Sequence, residues 1–323
     1  MQQIVSDYQQ MEADGMEEEL EKTDWRIVNS WLGTLYPELR DTSNYKTMIS
    51  YVDPDKLTGF YERRQQVLDD FLEVSGQVGA EKEYLHQIER KVEKPFHYEW
   101  VEGWSTLLGS MVADLGVVMA LFLGIVLSSL FAGEWHDNTS ALVLTTRNGW
   151  GKIALAKIFT GLAFTVELFA LLAVSSVISQ LFFMGTAGWD MPIQNIKLIA
   201  VAPMNMLQAE IYEYAFVLLG AIGFAGIVMF ISAAVKNNVL TLLLSLAVVY
   251  GPMMIAEYLP YEMQKALDLI PLVGSSTDIF RTNTFRIFGK LIWSPYLLIT
   301  IPVLIGILCM PFAIKSWSRR MKA

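Results

Sequence analysis

Groups equipped for chemistry are sparse in this chain. One cysteine, Cys309, lies inside an apolar run, and three histidines, His86, His97 and His136, are scattered without metal-ligand spacing. A single cysteine forms neither an intramolecular disulfide nor a thiolate cluster. Isolated histidines outside an HExxH pattern read as solvated or capping residues, not as zinc ligands. The phosphate-cradling P-loop, GxxxxGK followed by Ser or Thr, is also missing. At Gly151-Lys152, Thr146 stands where the first Gly belongs and Ile153 where Ser or Thr belongs. The apolar stretches carry no paired-carboxylate motif and no nucleophile with a neighbouring base. The expectation is a chain that is not itself an enzyme and takes no cofactor or metal.

Two features remain. One is the polar stretch FAGEWHDNTSALVLTTRNGWGKIALAKIFTG, residues 131–161, whose centre sets Leu142 and Leu144 among small and hydroxyl residues and whose end is basic. The other is Glu167, a carboxylate in an otherwise apolar run.

The elements around them are set by hydropathy. The 323 residues are 53% hydrophobic and only 18% charged, against about 25% charged in an ordinary soluble domain. The first 100 residues hold 11 Lys and Arg and 21 Asp and Glu, so the acidity of the whole chain resides there. With no basic cluster before Lys315, nucleic-acid binding is excluded as a function class. A helix crosses the hydrocarbon layer with about 20 apolar residues. Five segments qualify, at 106–133, 153–185, 213–235, 238–257 and 293–315, the third and fourth so close that they form a transmembrane hairpin. Trp100, Trp104, Trp135, Trp150, Trp189, Trp293 and Trp317 fall near segment ends, where an indole is half buried and half wet. Glu167 lies ten residues beyond Lys157, about 15 Å along a helix and near the bilayer centre. Such a carboxylate is a functional candidate: it faces a transport path, or it accepts a hydrogen bond from a neighbouring helix or a second copy. Asp114, Glu213 and Glu257 sit near the outer interface and are expected to be solvated.

Orientation follows the Lys and Arg of short loops. The 134–157 loop, the 236–238 turn and the C-terminal tail together hold eight; the opposite set holds five, plus three just before the first segment. The denser set puts the C terminus in the cytoplasm and residues 1–100 outside. Residues 186–212 and 258–292 carry apolar pieces too short or too proline-interrupted to span, and read as re-entrant or interfacial helices on the outer face. Within the first hundred, Asp53-Pro54 is a helix start. Apolar residues at 67, 71, 74, 78, 85, 88 and 92 predict a helical hairpin folded at Gly76 or Gly79. This acidic part is either a gating, substrate-contacting domain or a structural cap. The expected architecture is an all-α polytopic membrane protein: an extracytoplasmic helical domain, 1–100, then a membrane domain, 101–323, with five spans and a cytoplasmic stretch at 132–152.

That stretch resembles the coupling region of permease subunits of the type-2 ATP-binding-cassette (ABC) exporters. The matching residues are Glu134, Thr139, Leu142, Leu144, Arg147 and Lys157, while Asn138 stands where Gly is usual and Thr146 where Pro is frequent. Gly149 and Lys152 resemble a variant of Gram-positive bacterial members, and the order of segments is similar over residues 100–323. The resemblance implies an exporter subunit of the cell membrane that pairs with a second permease, identical or not, above cytoplasmic ATPase subunits. It also implies an amphipathic cargo such as a peptide, drug or lipid. Leu142 and Leu144 would anchor in a groove of the ATPase, with polar contacts from Glu134 and Arg147, while Lys157 snorkels to lipid headgroups; Asn138 and Thr139 complete the coupling set. Members of the family have six spans with the outer domain between the first two. This chain has five and no signal segment, so Met1 is expected to be an internal methionine of a longer protein with about 20 apolar residues upstream. The alternative is a non-transporting receptor or accessory protein whose acidic domain binds a ligand.

Overall fold

The computed structural model describes residues 1–16, 25–41, 47–96, 102–137, 139, 151–274, 280 and 283–319. They divide into two compact units: one of Met1–Thr106, Leu181–Ala209 and Phe280–Trp293, the other of Leu107–Gln180, Glu210–Ile279 and Ser294–Ala323.

The first unit is mainly helical. Helices α1 (Gln2–Ala13), α2 (Trp25–Leu35), α3 (Phe60–Val74), α4 (Ala80–Glu89) and the short α5 (Glu102–Thr106) come from the N-terminal part. Its core gathers Val5, Val28, Trp31, Leu32, Leu35, Tyr36, Ile49 and Leu57, with Leu198 from the distant middle of the chain. Polar side chains fix the irregular stretches between helices. The Gln9 amide donates to the carbonyls of Ile49 (2.9 Å) and Val52 (2.8 Å), and the Trp31 indole to that of Asn195 (3.0 Å).

The hairpin of α3 and α4 forms where expected, turning through Gly76 and Gly79, both at positive φ. Its buried face includes the expected Leu85 and Val92 but differs from the expectation on α3 and in the turn. Arg64, Leu68, Leu72, Leu85, Glu89 and Val92 point inward, whereas Phe71, Val74 and Val78 are exposed. The reason is a buried charge. The Arg64 guanidinium donates to Glu89 Oε1 (2.6 Å) and to the carbonyls of Leu198 (2.7 Å) and Ala200 (3.2 Å). A guanidinium 1% exposed requires all of these partners to offset its lost hydration, so the helix is rotated to deliver Arg64. Asp53 caps as expected, its Oδ1 accepting from the Asp55 N–H (3.1 Å), but the element it caps is a single 3₁₀ turn, Pro54–Lys56.

In the second unit, five helices are long and apolar enough to cross a membrane. They are α6 (Val112–His136), α7 (Lys152–Met184), α8 (Met206–Val235), α9 (Asn238–Ile255, extended by a 3₁₀ turn to Tyr258) and α11 (Ser294–Arg319); a π-helical turn, Leu107–Met111, precedes α6, and the short α10 (Tyr261–Leu267) stands between α9 and α11. The protein is an all-α polytopic membrane protein. The turn between α8 and α9 is as tight as expected: Lys236 is left-handed, and Asn237 Oδ1 caps α9 at the Leu240 N–H (2.9 Å).

The two outer apolar pieces differ from the expectation. Residues 193–205 form a 3₁₀ turn and an irregular strap, and α10 is the one helix of the second piece among the described residues. That piece ends in an antiparallel hairpin of the first unit, β1 (Thr284–Ile287) and β2 (Lys290–Trp293), with Ile287 opposite Lys290. The two-residue turn Phe288-Gly289 has positive φ at both positions (49° and 79°), the twist that suits a tight hairpin.

Helix packing in the second unit rests on glycine. A Cβ on Gly223 would strike the Pro302 carbonyl, and one on Gly226 would strike Gly306, so α8 and α11 cross backbone to backbone. Gly124 of α6 likewise accommodates Leu242 and Leu246 of α9. Between apolar helices in lipid, such close approach supplies the association that hydrophobicity cannot. More than half of the spanning windows of α6 and α8 is buried, while most of the windows of α7, α9 and α11 is not.

The buried Arg64 pair makes a pH test. Burial pushes the Glu89 carboxyl up, but hydrogen bonds from Arg64 and Lys94, with their charges, outweigh it and hold it below the ordinary value of 4.5. A depressed folded value gives stability that is present above about 4.5 and lost as pH falls through the folded value. Glu89→Gln should therefore lower the melting temperature at pH 7, with the gap to wild type closing below about pH 4. Arg64→Ala should cost about 3–5 kcal/mol at neutral pH. A gap that stays constant across that acid range in thermal melts would show that the pair does not contribute.

Candidate functional site

The polar stretch singled out in the sequence leaves α6 at His136 and enters α7 at Lys152. Of its proposed residues, Asn138, Leu142, Leu144 and Arg147 lie outside the described residues, whereas Glu134, Thr139 and Lys157 are described. The structure brings Glu134 and Lys157 together. Lys157 Nζ lies 2.6 Å from Glu134 Oε1 and donates to the Leu130 carbonyl (2.5 Å). It also stands over the rings of Phe131 (5.1 Å) and Trp317 (5.2 Å). Lys157 therefore does not snorkel outward. A carboxylate, a carbonyl and two aromatic faces compensate the ammonium within the protein, so the side chain has no need to reach for headgroups.

The aromatic wall continues. Phe131 packs on Trp317 (5.6 Å between centroids) and Trp135 meets Trp317 edge to face (6.1 Å), with Lys236 over Trp135 at 4.2 Å. Residues from α6, α7, α11 and the α8–α9 turn thus close around one ion pair. Glu134 Oε2 is buried and has no hydrogen-bond partner among the described residues, so one acceptor of this carboxylate is left over. Thr139 turns back on the end of α6, its N–H donating to the Glu134 carbonyl (3.0 Å).

Beneath this cluster a hydroxyl is wedged into α6. Ser232 Oγ accepts from the N–H groups of Phe131 (3.0 Å) and Ala132 (3.1 Å) and donates to the Ser128 carbonyl (2.7 Å). A side chain inserted into the helical ladder marks a point where a helix bends. It locks α6 to α8 within one turn of Glu134.

Glu167 has no hydrogen bond or ion pair with another helix among the described residues. It is exposed, on the same outward surface of α7 as Val166, Leu171, Val174 and Ile178. Glu213, expected to be solvated, is instead 4% exposed, as is Glu210 one turn earlier. Both oxygens of Glu210, which lies beside the Tyr214 phenol, lack a hydrogen-bond partner among the described residues, as do the amide nitrogen of buried Gln180 and the hydroxyl of buried Ser294. Ser176 and Tyr214 bond at 2.7 Å, so the antiparallel course of α7 and α8 sets Gln180 and Glu210 at one level, each four residues away. Asp114 and Glu257 are exposed as expected. Glu210 escapes the hydropathy pattern because the apolar run becomes continuous only at about 213. The helix starts at Met206, and Glu210, Glu213 and Val217 then share one inward face at helical spacing.

A double-mutant cycle tests the ion pair. Glu134→Gln and Lys157→Met should each destabilise the detergent-solubilised protein by about 1.5–3 kcal/mol. The double variant should recover part of that loss, because neither charge is then stranded. Strictly additive losses in thermal unfolding would mean that the two side chains do not interact. In comparisons with known proteins, no family model, no curated protein and no solved structure matches this chain.

Proposed function

We propose that this protein is a permease subunit of an ATP-driven exporter in the cell membrane, energised by a separate cytoplasmic ATPase. The observation that carries the reading is the Glu134–Lys157 pair at the base of the 137–151 stretch. A mechanical coupling element must be short and must be fixed at both ends to rigid helices, or a push from the ATPase would be absorbed by the loop. The ion pair ties the end of α6 to the first turns of α7, the aromatic wall adds α11, and the Ser232 wedge adds α8. A displacement of the stretch would then move four helices together. Leu142 and Leu144 supply apolar anchors for a groove on the ATPase. Arg147 and Asn138 supply polar contacts, while Glu134 holds Lys157 at the base of the stretch. The proposed orientation puts this stretch and the C terminus in the cytoplasm and residues 1–100 outside. Of the stretches assigned to the outer side by charge, 1–100, most of 186–212 and the end of 258–292 fold in one unit, whereas 258–279 belong to the other; the shared unit supports the assignment of the first two. An amphipathic cargo fits the apolar spans.

The direct test is co-purification with the cytoplasmic ATPase that this reading requires. Replacing Leu142 and Leu144 with Asp should abolish capture of the ATPase while membrane insertion is unchanged; capture at wild-type yield would remove the coupling reading and favour a receptor.

The second permease copy has its own test. An exposed carboxylate within a span is costly against lipid, so in this reading Glu167 faces either the path or the partner subunit. Glu167→Leu should lower the dimer fraction or the cargo-stimulated ATPase rate at least severalfold. A variant that is merely more stable, with assembly and activity intact, would place Glu167 against lipid.

A further inference from the structure

The first unit contains a cavity of about 410 Å³, within the size range of small-molecule sites, about 300–1,000 Å³. All of its lining residues belong to that unit. One wall is the chain just after α4, with Lys91 and Glu93. The other is a strap of two paired strands of irregular chain: the Ile193 N–H donates to the Met204 carbonyl (3.0 Å), that of Met206 to Met191 (2.9 Å) and that of Leu207 to Trp189 (3.0 Å). The strap carries Asp190, Gln194, Asn205 and Gln208 into the lining.

Three observations define the site and the ligand that would fit. First, Gln194 is fully buried and its amide nitrogen donates to the carbonyls of Ala200 (3.0 Å) and Ala202 (2.8 Å), which fixes the amide and leaves Oε1 without a donor among the described residues. Held in this way, Gln194 fixes the loop 194–202 that backs the lining. Second, Asn205 and Gln208 cap the start of α8 reciprocally: the Gln208 N–H donates to Asn205 Oδ1 (2.8 Å), and the Asn205 N–H to Gln208 Oε1 (3.2 Å). Their amide oxygens are thus used, and their side-chain N–H groups remain as donors to a carboxylate. Third, the cavity is bordered by charges of both signs. Lys91, Glu93 and Asp190 are exposed and make no ion pair among the described residues. Lys94, by contrast, is turned to Glu89 (3.1 Å), and Arg286 is paired with Glu81 (2.5 Å).

We infer that this cavity binds a small zwitterion, a molecule carrying an ammonium and a carboxylate, as a free amino acid or a short peptide with both ends open does. The ammonium meets Glu93 and Asp190, and the carboxylate meets Lys91 and the amide N–H groups of Asn205 and Gln208. An anion would meet two carboxylates, a plain amine would strand Lys91, and an apolar ligand would bury all three charges without partners. The site does not rest on the coupling reading, since binding requires no ATPase.

Calorimetric titration of the full chain in detergent with trialanine tests this, with N-acetyl-trialanine and trialanine amide as matched probes lacking one charge each. Trialanine should bind, and each blocked peptide at least tenfold more weakly. Lys91→Met, and Glu93→Gln with Asp190→Asn, should each weaken trialanine at least tenfold with unchanged melting temperature, because these side chains are exposed. No heat from trialanine up to about 10 mM, well above the weak end of measurable binding, would overturn the inference. So would blocked peptides that bind as tightly as the free one, or folded variants whose affinity is unaltered.

Discussion

Removing a charge from water costs several kcal/mol unless a partner replaces the lost hydration, and this constraint organises both units. Arg64 and Glu89 are buried together and rotate the whole α3–α4 hairpin to do so. Lys157 is held by Glu134 and two rings, and Lys265, 6% exposed, reaches Glu262 at 2.8 Å. The first two pairs join elements that apolar packing alone would leave free to slide, because hydrophobic contact is not directional and a fork-like or cage-like contact is. Glu210 is the exception, a buried carboxylate with no ion pair among the described residues and only the Tyr214 phenol beside it. A group that breaks the rule followed by its neighbours is where strain or function is stored.

Between the spanning helices the constraint is different. Lipid offers no hydrophobic reward for helix association, so contact must come from closeness. Gly223, Gly226 and Gly306 remove side chains at one crossing and let α8 and α11 touch through their backbones. Ser232 adds a polar tie between α8 and α6 that satisfies three backbone groups at once. The result is a central group of helices whose relative positions are fixed by backbone geometry. A group fixed in this way can carry a displacement without dissipating it, which is the mechanical property that the proposed coupling role of the stretch between α6 and α7 would require.

The parts of the fold legible in the sequence are those that depend on runs of residues. Five spans, the tight α8–α9 turn at Lys236 and Asn237, and the helical hairpin at Gly76 and Gly79 all follow from local composition and turn chemistry. The hidden parts depend on partners far along the chain. The buried face of α3 and α4 is set by Arg64 meeting Leu198 and Ala200, more than 130 residues away, and no periodicity encodes that distance. The β1–β2 hairpin is legible in principle, since alternating TFRI and KLIW flank Phe-Gly, but its apolar residues fit an interfacial piece equally well. At the membrane end, Glu134 and Lys157 are each visible as members of one motif, yet their pairing requires α6 and α7 to lie antiparallel with the right rotation.

The cavity in the first unit is the extreme case of the same limit. Its charges come from residues 91–93 and 190 and its amides from 194, 205 and 208; each taken singly is an ordinary surface or turn residue. Asn205 and Gln208 read locally as a helix cap, and Gln194 as a polar interruption in an apolar stretch. Only the strap that pairs 189–193 with 204–207 puts two amide donors and three charges around one space. Residues whose local roles are already satisfied by one half of their hydrogen-bonding capacity are free to turn the other half toward a ligand. Their local role is the only one that sequence spacing encodes, and the second exists only once the strap has closed.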